Sequence, residues 1–349
     1  MGVAVPDQPA PPRLPSGLNR QRSQARRPQV PAAYASLLVF AGIISVQVGA
    51  GLAARMFAQL GPAGVTGLRL GWSALIVAVF GGRALARTLR TAVAERAWRD
   101  LAIAVGFGVV LGAMNFSIYE SFARIPLGVA VTIEFLGPLA VAVASSRRWL
   151  DVLWVLLAAT GVLLLTAGGA RLASGSAGQA GSAATRAGPV LGLSTQAAGI
   201  AFALIAAVGW AAYIILSRAT GRRFSDASGL VIAMVVAAVL VTGPAIAAAG
   251  SALLHPAVLA EGLAIGLLSS VIPYRLELEA LRRVRAGTFG IWMSLEPAVA
   301  ALIGLALLGE RLLPRQWLAI AGVIIACAGA ASSGAAERAA PDHLPPPPA

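Results

Sequence analysis

Residues 126–145 read PLGVAVTIEFLGPLAVAVAS, an apolar run interrupted by Glu134 and then by Gly137-Pro138. The run has the roughly 20 residues a helix needs to cross a bilayer, yet it carries a carboxylate near its centre. A charge at that depth costs about 2.5–3.5 kcal/mol on insertion scales, so it faces a cavity or a partner rather than lipid. Pro138 also removes a backbone donor and interrupts the helix beside the charge. Residues 287–308, GTFGIWMSLEPAVAALIGLALL, repeat the arrangement with Glu296-Pro297. Gly128 and Gly287 stand ten residues before Pro138 and Pro297, and Leu136 with Leu295 and Ala142 with Ala301 match at the same offset of 159. Interrupted helices at corresponding positions of two halves are the sequence sign of a midplane transport site.

The rest of the chain fits that setting. Its 349 residues are 58% hydrophobic, with a mean hydropathy of +0.80, which predicts an all-α integral membrane protein. Ten apolar spans can be marked: 34–54, 62–80, 101–123, 126–145, 149–167, 197–217, 227–249, 258–281, 287–308 and 314–333. The first is too long for the roughly 7–15-residue core of a signal peptide and is expected to be retained. The third and eighth reach full length only by taking in charge: Glu120 in one; Arg275, Glu277 and Glu279 in the other. Five spans in each half is an odd number, so the expected architecture is ten transmembrane helices in two inverted five-helix repeats. The expected organisation is a disordered cytoplasmic tail at 1–33, repeats at 34–167 and 197–333 joined by a flexible external linker at 168–196, and a second disordered tail at 334–349.

A net charge of +13 and a pI near 11.6 would suggest nucleic acid for a soluble protein. Here all 27 basic residues are arginine, mostly in short loops and the N-terminal tail, which argues against nucleic acid. With the N-terminus placed in the cytoplasm, nineteen arginines fall on that side and six on the other, so both termini are expected to be cytoplasmic. The dense use of Ala, Gly and Pro points to a GC-rich bacterial genome. Cys327 is the single cysteine, in an apolar helix, and His255 and His343 lie outside the marked spans. The sequence therefore calls for no disulfide, metal or cofactor.

Several polar residues inside the spans could carry transport. Arg69, near the centre of the second span, and Glu134 can pair; they fix packing, contact substrate or a coupling proton, or do both. Glu296 sits beside a carbonyl that Pro297 deprives of its helical donor, a setting suited to an ammonium group or a proton; a kink with an interhelical bond is the plainer reading. Asn115 and Tyr119 share one helix face at i, i+4, and Ser270 and Tyr274 repeat that spacing. Inversion would direct these faces toward opposite sides of the membrane, as outer and inner parts of one pathway, whereas an interfacial aromatic belt would explain the tyrosines alone. Arg275, Glu277 and Glu279 are expected near the cytoplasmic surface, with Arg275 and Glu279 as an i, i+4 pair and a gating or packing role. Gln47 is expected to make an interhelical hydrogen bond.

The stretch from Thr132 to Val141, followed by Ser145-Ser146-Arg147-Arg148, and the stretch from Thr288 through Glu296-Pro297-Ala298 resemble the EamA domains of the drug/metabolite transporter superfamily. Within it they are most similar to bacterial inner-membrane exporters of threonine and homoserine, and Pro273-Tyr274 and Leu276-Glu277 fit the same subgroup. The resemblance covers roughly residues 34–331. It implies ten helices in two inverted repeats and efflux driven by the proton gradient. Two departures stand out: Arg275, where the subgroup usually has a small polar residue, and a longer linker.

The expected function is secondary active export of small polar amino acids, coupled to protons, across the bacterial inner membrane. The partners implied are an amino acid, protons and the lipid bilayer, with a homodimer left open. Efflux of another metabolite or a drug-like amphiphile by the same fold is the alternative. A membrane-embedded enzyme would need a nucleophile with a base, or a metal cluster; the spans contain no histidine and only Cys327 as a thiol, so no catalytic residue is assigned.

Overall fold

The computed structural model describes residues 32–94, 96–144, 150–166, 194–224, 228–284 and 286–339. Most of the two expected tails, nearly all of the expected linker, and Arg147 and Arg148 lie outside these residues. The described elements are helices: α1 (Ala32–Ala94), α2 (Trp98–Phe122), α3 (Leu127–Glu134), α4 (Leu136–Ala144), α5 (Leu150–Thr166), α6 (Thr195–Gly221), α7 (Ser228–Ala249), α8 (Pro256–Gly266), α9 (Ile272–Leu281), α10 (Ala286–Met293), α11 (Glu296–Leu308) and α12 (Pro314–Ala339). A 3₁₀ turn, Gly250–Leu254, joins α7 to α8, and a π turn, Leu267–Val271, joins α8 to α9.

Eight helical stretches among the described residues are long and apolar enough to cross a membrane. One of them, Tyr34–Arg83, takes in both of the first two marked spans, while the span marked at 149–167 is the shorter, 17-residue α5. Large apolar side chains such as Val79, Phe80, Val208, Val239 and Leu318 project outward from these helices. Such a surface suits lipid tails, and intrahelical hydrogen bonds satisfy the backbone there.

At about 1.5 Å per residue, the 50 residues of Tyr34–Arg83 would be far too long for one crossing. The chain instead reverses at Gly61, whose φ of 67° and ψ of 164° are available to glycine without steric cost, and Pro62 begins the second arm. The contacts show the reversal. Gly42 lies against Glu277 and Gly49 against Ser269, so the first arm runs antiparallel to the chain from α8 to α9. Gly262 lies against Leu68 and Gly266 against Trp72, so the second arm runs parallel to it. The second arm also continues as helix to Ala94, through much of what the sequence reading assigns to a loop at 81–99. Its Ala, Leu and Arg residues favour helix whether or not lipid surrounds them, and a hydrogen bond of 3.0 Å between Thr88 Oγ1 and Ser228 Oγ ties the extension to α7.

The runs containing Glu134 and Glu296 are both broken helices. The first divides at Phe135 into α3 and α4, and the second at Ser294-Leu295 into α10 and α11. Glu134 ends α3, and Glu296 begins α11. The two broken helices pack against each other at Gly128, where an added Cβ would fall 2.6 Å from both Cα and Cβ of Ala301.

A second cross-connection lies at one end of this pair. α3 begins after Pro126, which provides no side-chain cap, and Glu310 supplies one from the connection between α11 and α12: the Leu127 N–H donates to its Oε2 at 2.9 Å. Burial pushes the Glu310 carboxyl up to about 7, and the Leu127 hydrogen bond opposes that rise. A carboxyl raised in this way holds its proton more tightly folded than unfolded. Its contribution to stability is therefore full below the ordinary value of 4.5 and is lost as pH rises through about 7. The melting temperature of the purified protein should fall by a few degrees between about pH 5 and about pH 8, and Glu310→Gln should flatten that slope. Equal slopes in the two proteins would show that Glu310 does not titrate in this range.

Candidate functional site

A cavity of about 200 Å³ lies where the broken helices meet α1, α2, α6 and α9. All seven of the pathway residues named from the sequence line it: Arg69 from the second arm of α1, Asn115 and Tyr119 from α2, Glu134 from α3, Tyr274 and Glu277 from α9, and Glu296 from α11. Each comes from an element whose geometry explains its position. Pro138 and Pro297 cannot donate to the carbonyls of the preceding turn, so the helices part beside Glu134 and Glu296 and direct these carboxylates inward. Asn115 and Tyr119 stand one helical turn apart on the buried face of α2.

The π turn explains how Arg69 is seated. In it the Ile272 N–H reaches back to the Leu267 carbonyl, one residue farther than in an α-helix, and Pro273 has no N–H. The carbonyls of Leu268 and Ser269 are thereby released from the ladder and taken by side chains of α1. Ser45 Oγ donates to Leu268 O at 2.8 Å, and Arg69 Nη2 donates to Ser269 O at 3.2 Å. Arg69 Nη1 donates to Asn115 Oδ1 at 2.7 Å, and the guanidinium lies 5.4 Å from the centre of the Tyr119 ring.

The sequence-named pairs are partly rearranged. Among the described residues Arg69 and Glu134 form no ion pair; Arg69 is held by Asn115 and a backbone carbonyl instead. Arg275 does not pair with Glu279, which binds Arg282 and Arg283, the cations one turn farther along α9 and past its end. Ser270 bonds to Ser73 at 3.1 Å and leaves the cavity wall to Ser269. Tyr119 is not part of an interfacial belt: it is 1% exposed and packs between Phe57 and Phe122. Tyr119 and Tyr274 line one common cavity. Glu120, which the third span has to take in, pairs with Arg124 outside the cavity wall.

The expected interhelical bond of Gln47 goes to the site itself: its Nε2 donates to Glu296 Oε1 at 2.8 Å. Trp210 and Tyr213 of α6 complete the wall, with Trp210 edge-on to Phe135 at 4.9 Å and Tyr213 tilted against Phe107 at 5.2 Å. Sequence reasoning passed over both, because an aromatic in an apolar span gives no signal of what it faces. Four buried polar atoms on residues of this wall have no hydrogen-bond partner: Gln47 Oε1, Arg69 Nε, Tyr119 Oη and Ser269 Oγ. Unpartnered buried polar groups are rare in folded proteins, and among the described residues four of them belong to the wall of this one cavity.

The pattern of the EamA-like transporter family matches residues 197–332. The chain is 36% identical to the Threonine/homoserine exporter RhtA of Escherichia coli (strain K12) over 84% of its length and 90% of the exporter's. The protein of the same name from Salmonella typhimurium (strain LT2) has the same identity and coverage. A solved crystal structure, 19% identical and covering 88% of this chain and 99% of its own, superposes with a TM-score of 0.51, a likeness of fold. A membrane-embedded helical bundle, 36% identical to a named exporter along most of both chains, leaves no doubt of its kin: the chain belongs to the EamA-like transporter family.

Proposed function

We propose that the chain exports small polar amino acids of the threonine and homoserine kind across the bacterial inner membrane, in exchange for protons. In this reading, ten spans form two inverted five-helix repeats, both termini are cytoplasmic and the protein is no enzyme. The observation that carries it is the cavity's chemistry: a guanidinium and carboxylates from both broken helices converge on one small space. A zwitterion has the two charges that such a space can match. The similarity to the RhtA exporters supports the same substrate class.

Size favours a small solute over the drug-like alternative. Pockets for drug-sized ligands run to roughly 300–1,000 Å³, whereas this cavity has about 200 Å³. Glu296 is the favoured proton carrier, since it lies at the start of a broken helix with one oxygen held by a neutral Gln47.

Uptake of labelled threonine and homoserine into inside-out vesicles tests the reading. Vesicles containing the protein, energised acid inside, should accumulate both above control vesicles. Uptake equal to the controls for both substrates would remove the amino-acid reading.

A further inference from the structure

We propose that Arg69 is the receptor for the substrate's carboxylate, so that the amino acid sits with its carboxylate toward α2 and its ammonium toward Glu134 and Glu296. This rests on the reading of the cavity as an amino-acid site and adds the orientation and the residue that enforces it.

The argument begins with what Arg69 lacks. A guanidinium cannot be deprotonated in a protein and has five N–H donors. Two of its nitrogens bond to neutral oxygens, Asn115 Oδ1 and Ser269 O, and its face lies over the Tyr119 ring. Among the described residues none of its contacts is an ion pair. Among the described residues its buried Nε has no partner, and neither has the hydroxyl of Tyr119, whose ring lies under the guanidinium. A buried cation matched only by dipoles is costly, and a carboxylate entering the cavity would supply the missing charge.

The geometry favours a carboxylate over a lone acceptor such as water. Asn115 is itself fixed, because its Nδ2 donates to Leu111 O at 2.8 Å, leaving Oδ1 to face Arg69. With Asn115, the Ser269 carbonyl and the Tyr119 ring holding the guanidinium, the group is pre-set for the charge-assisted bonds that a carboxylate makes with arginine. A lysine would present a point charge without that fork. The remaining charged groups on the cavity wall are carboxylates, Glu134, Glu277 and Glu296, so the opposite pole suits an ammonium group.

The test uses purified full-length protein in liposomes, with labelled threonine in exchange and two competitors: unlabelled threonine and threoninol, which keeps the ammonium and hydroxyl but has an alcohol in place of the carboxylate. In the wild type, threoninol should compete about 10–100-fold more weakly, the value of a charge-assisted bond. Arg69→Gln and Arg69→Lys should weaken threonine to near the level of threoninol while leaving threoninol unchanged. Equal competition by both compounds in the wild type overturns the proposal without any variant, as does a folded Arg69→Gln protein that keeps the discrimination. If the wild type moves no amino acid, the proposed function fails, and the carboxylate pole is judged by thermal stabilisation. Propionate should then stabilise the wild type more than propanol does, and Arg69→Gln should erase the difference. Equal stabilisation overturns the proposal.

Discussion

In proteoliposomes containing Glu296→Gln, threonine should equilibrate across the membrane where the wild type concentrates it. A zwitterion carries no net charge, so exchanging it for one proton moves one charge inward, and the membrane potential contributes about 2.3 kcal/mol per 100 mV. That corresponds to roughly a 50-fold gradient per 100 mV, and all of it should vanish when the carrier can no longer change its charge. Gln keeps the shape and can still meet Gln47, so protein abundance should remain near normal. Glu134→Gln should also lower export, and saturating substrate should recover part of it, because this residue is assigned to the ammonium pole. Accumulation by Glu296→Gln at the wild-type level, or wild-type accumulation that survives collapse of both the pH gradient and the potential, would exclude coupling through this residue.

Gly128→Ala should be among the most damaging single methyl groups in the bundle. The added Cβ would meet the backbone of α11, at 2.6 Å from Ala301 Cα and 2.9 Å from its nitrogen, and a backbone inside a packed pair of helices cannot step aside. Overpacking of this kind typically costs about 1–3 kcal/mol, and more where nothing can yield. Because small residues let membrane helices approach closely, the substitution should separate the two broken helices and pull Glu134 away from Glu296. Both the melting temperature and transport should fall. Adding Ala301→Gly removes the Cβ conflict but not the backbone one, so the double variant should recover only part of the loss. Gly106→Ala is the control: nothing lies within 4 Å of its added Cβ, and the gain in helix propensity should leave the protein as stable or slightly more so. A Gly128→Ala protein that melts like the Gly106→Ala protein would refute the close packing.

Much of this was legible from residue types alone. A carboxylate or a guanidinium in an apolar run has few tolerable places to go, and so Glu134, Glu296 and Arg69 announced a shared interior before any contact was known. What the sequence withheld was rotation and partnership. Arg275 and Glu279 have the spacing of an ion pair, yet Arg282 and Arg283 compete for the same carboxylate from the helix end and win it. Trp210 and Tyr213 look like any apolar-span aromatics until the facing helices are placed. Glu310 and Leu127 are 183 positions apart, and no local pattern links a cap to a helix so distant.

The π turn at Leu267–Val271 acts as a phase setting for everything after it. One residue corresponds to about 100° of helical rotation, so the wider turn determines which stripe of α9 meets the cavity. As built, the stripe presents Tyr274 and Glu277, while Arg275 stays outside. Tightening the turn to an ordinary α-helix with all its residues kept would advance α9 by one position and bring Pro273 and Leu276 round in their place. The interior would then lose the Glu277 carboxylate and the Tyr274 hydroxyl to apolar side chains, shifting the balance of charge that a zwitterion meets. Glu277 is thus held at the chamber by a wide turn that Pro273 keeps from closing.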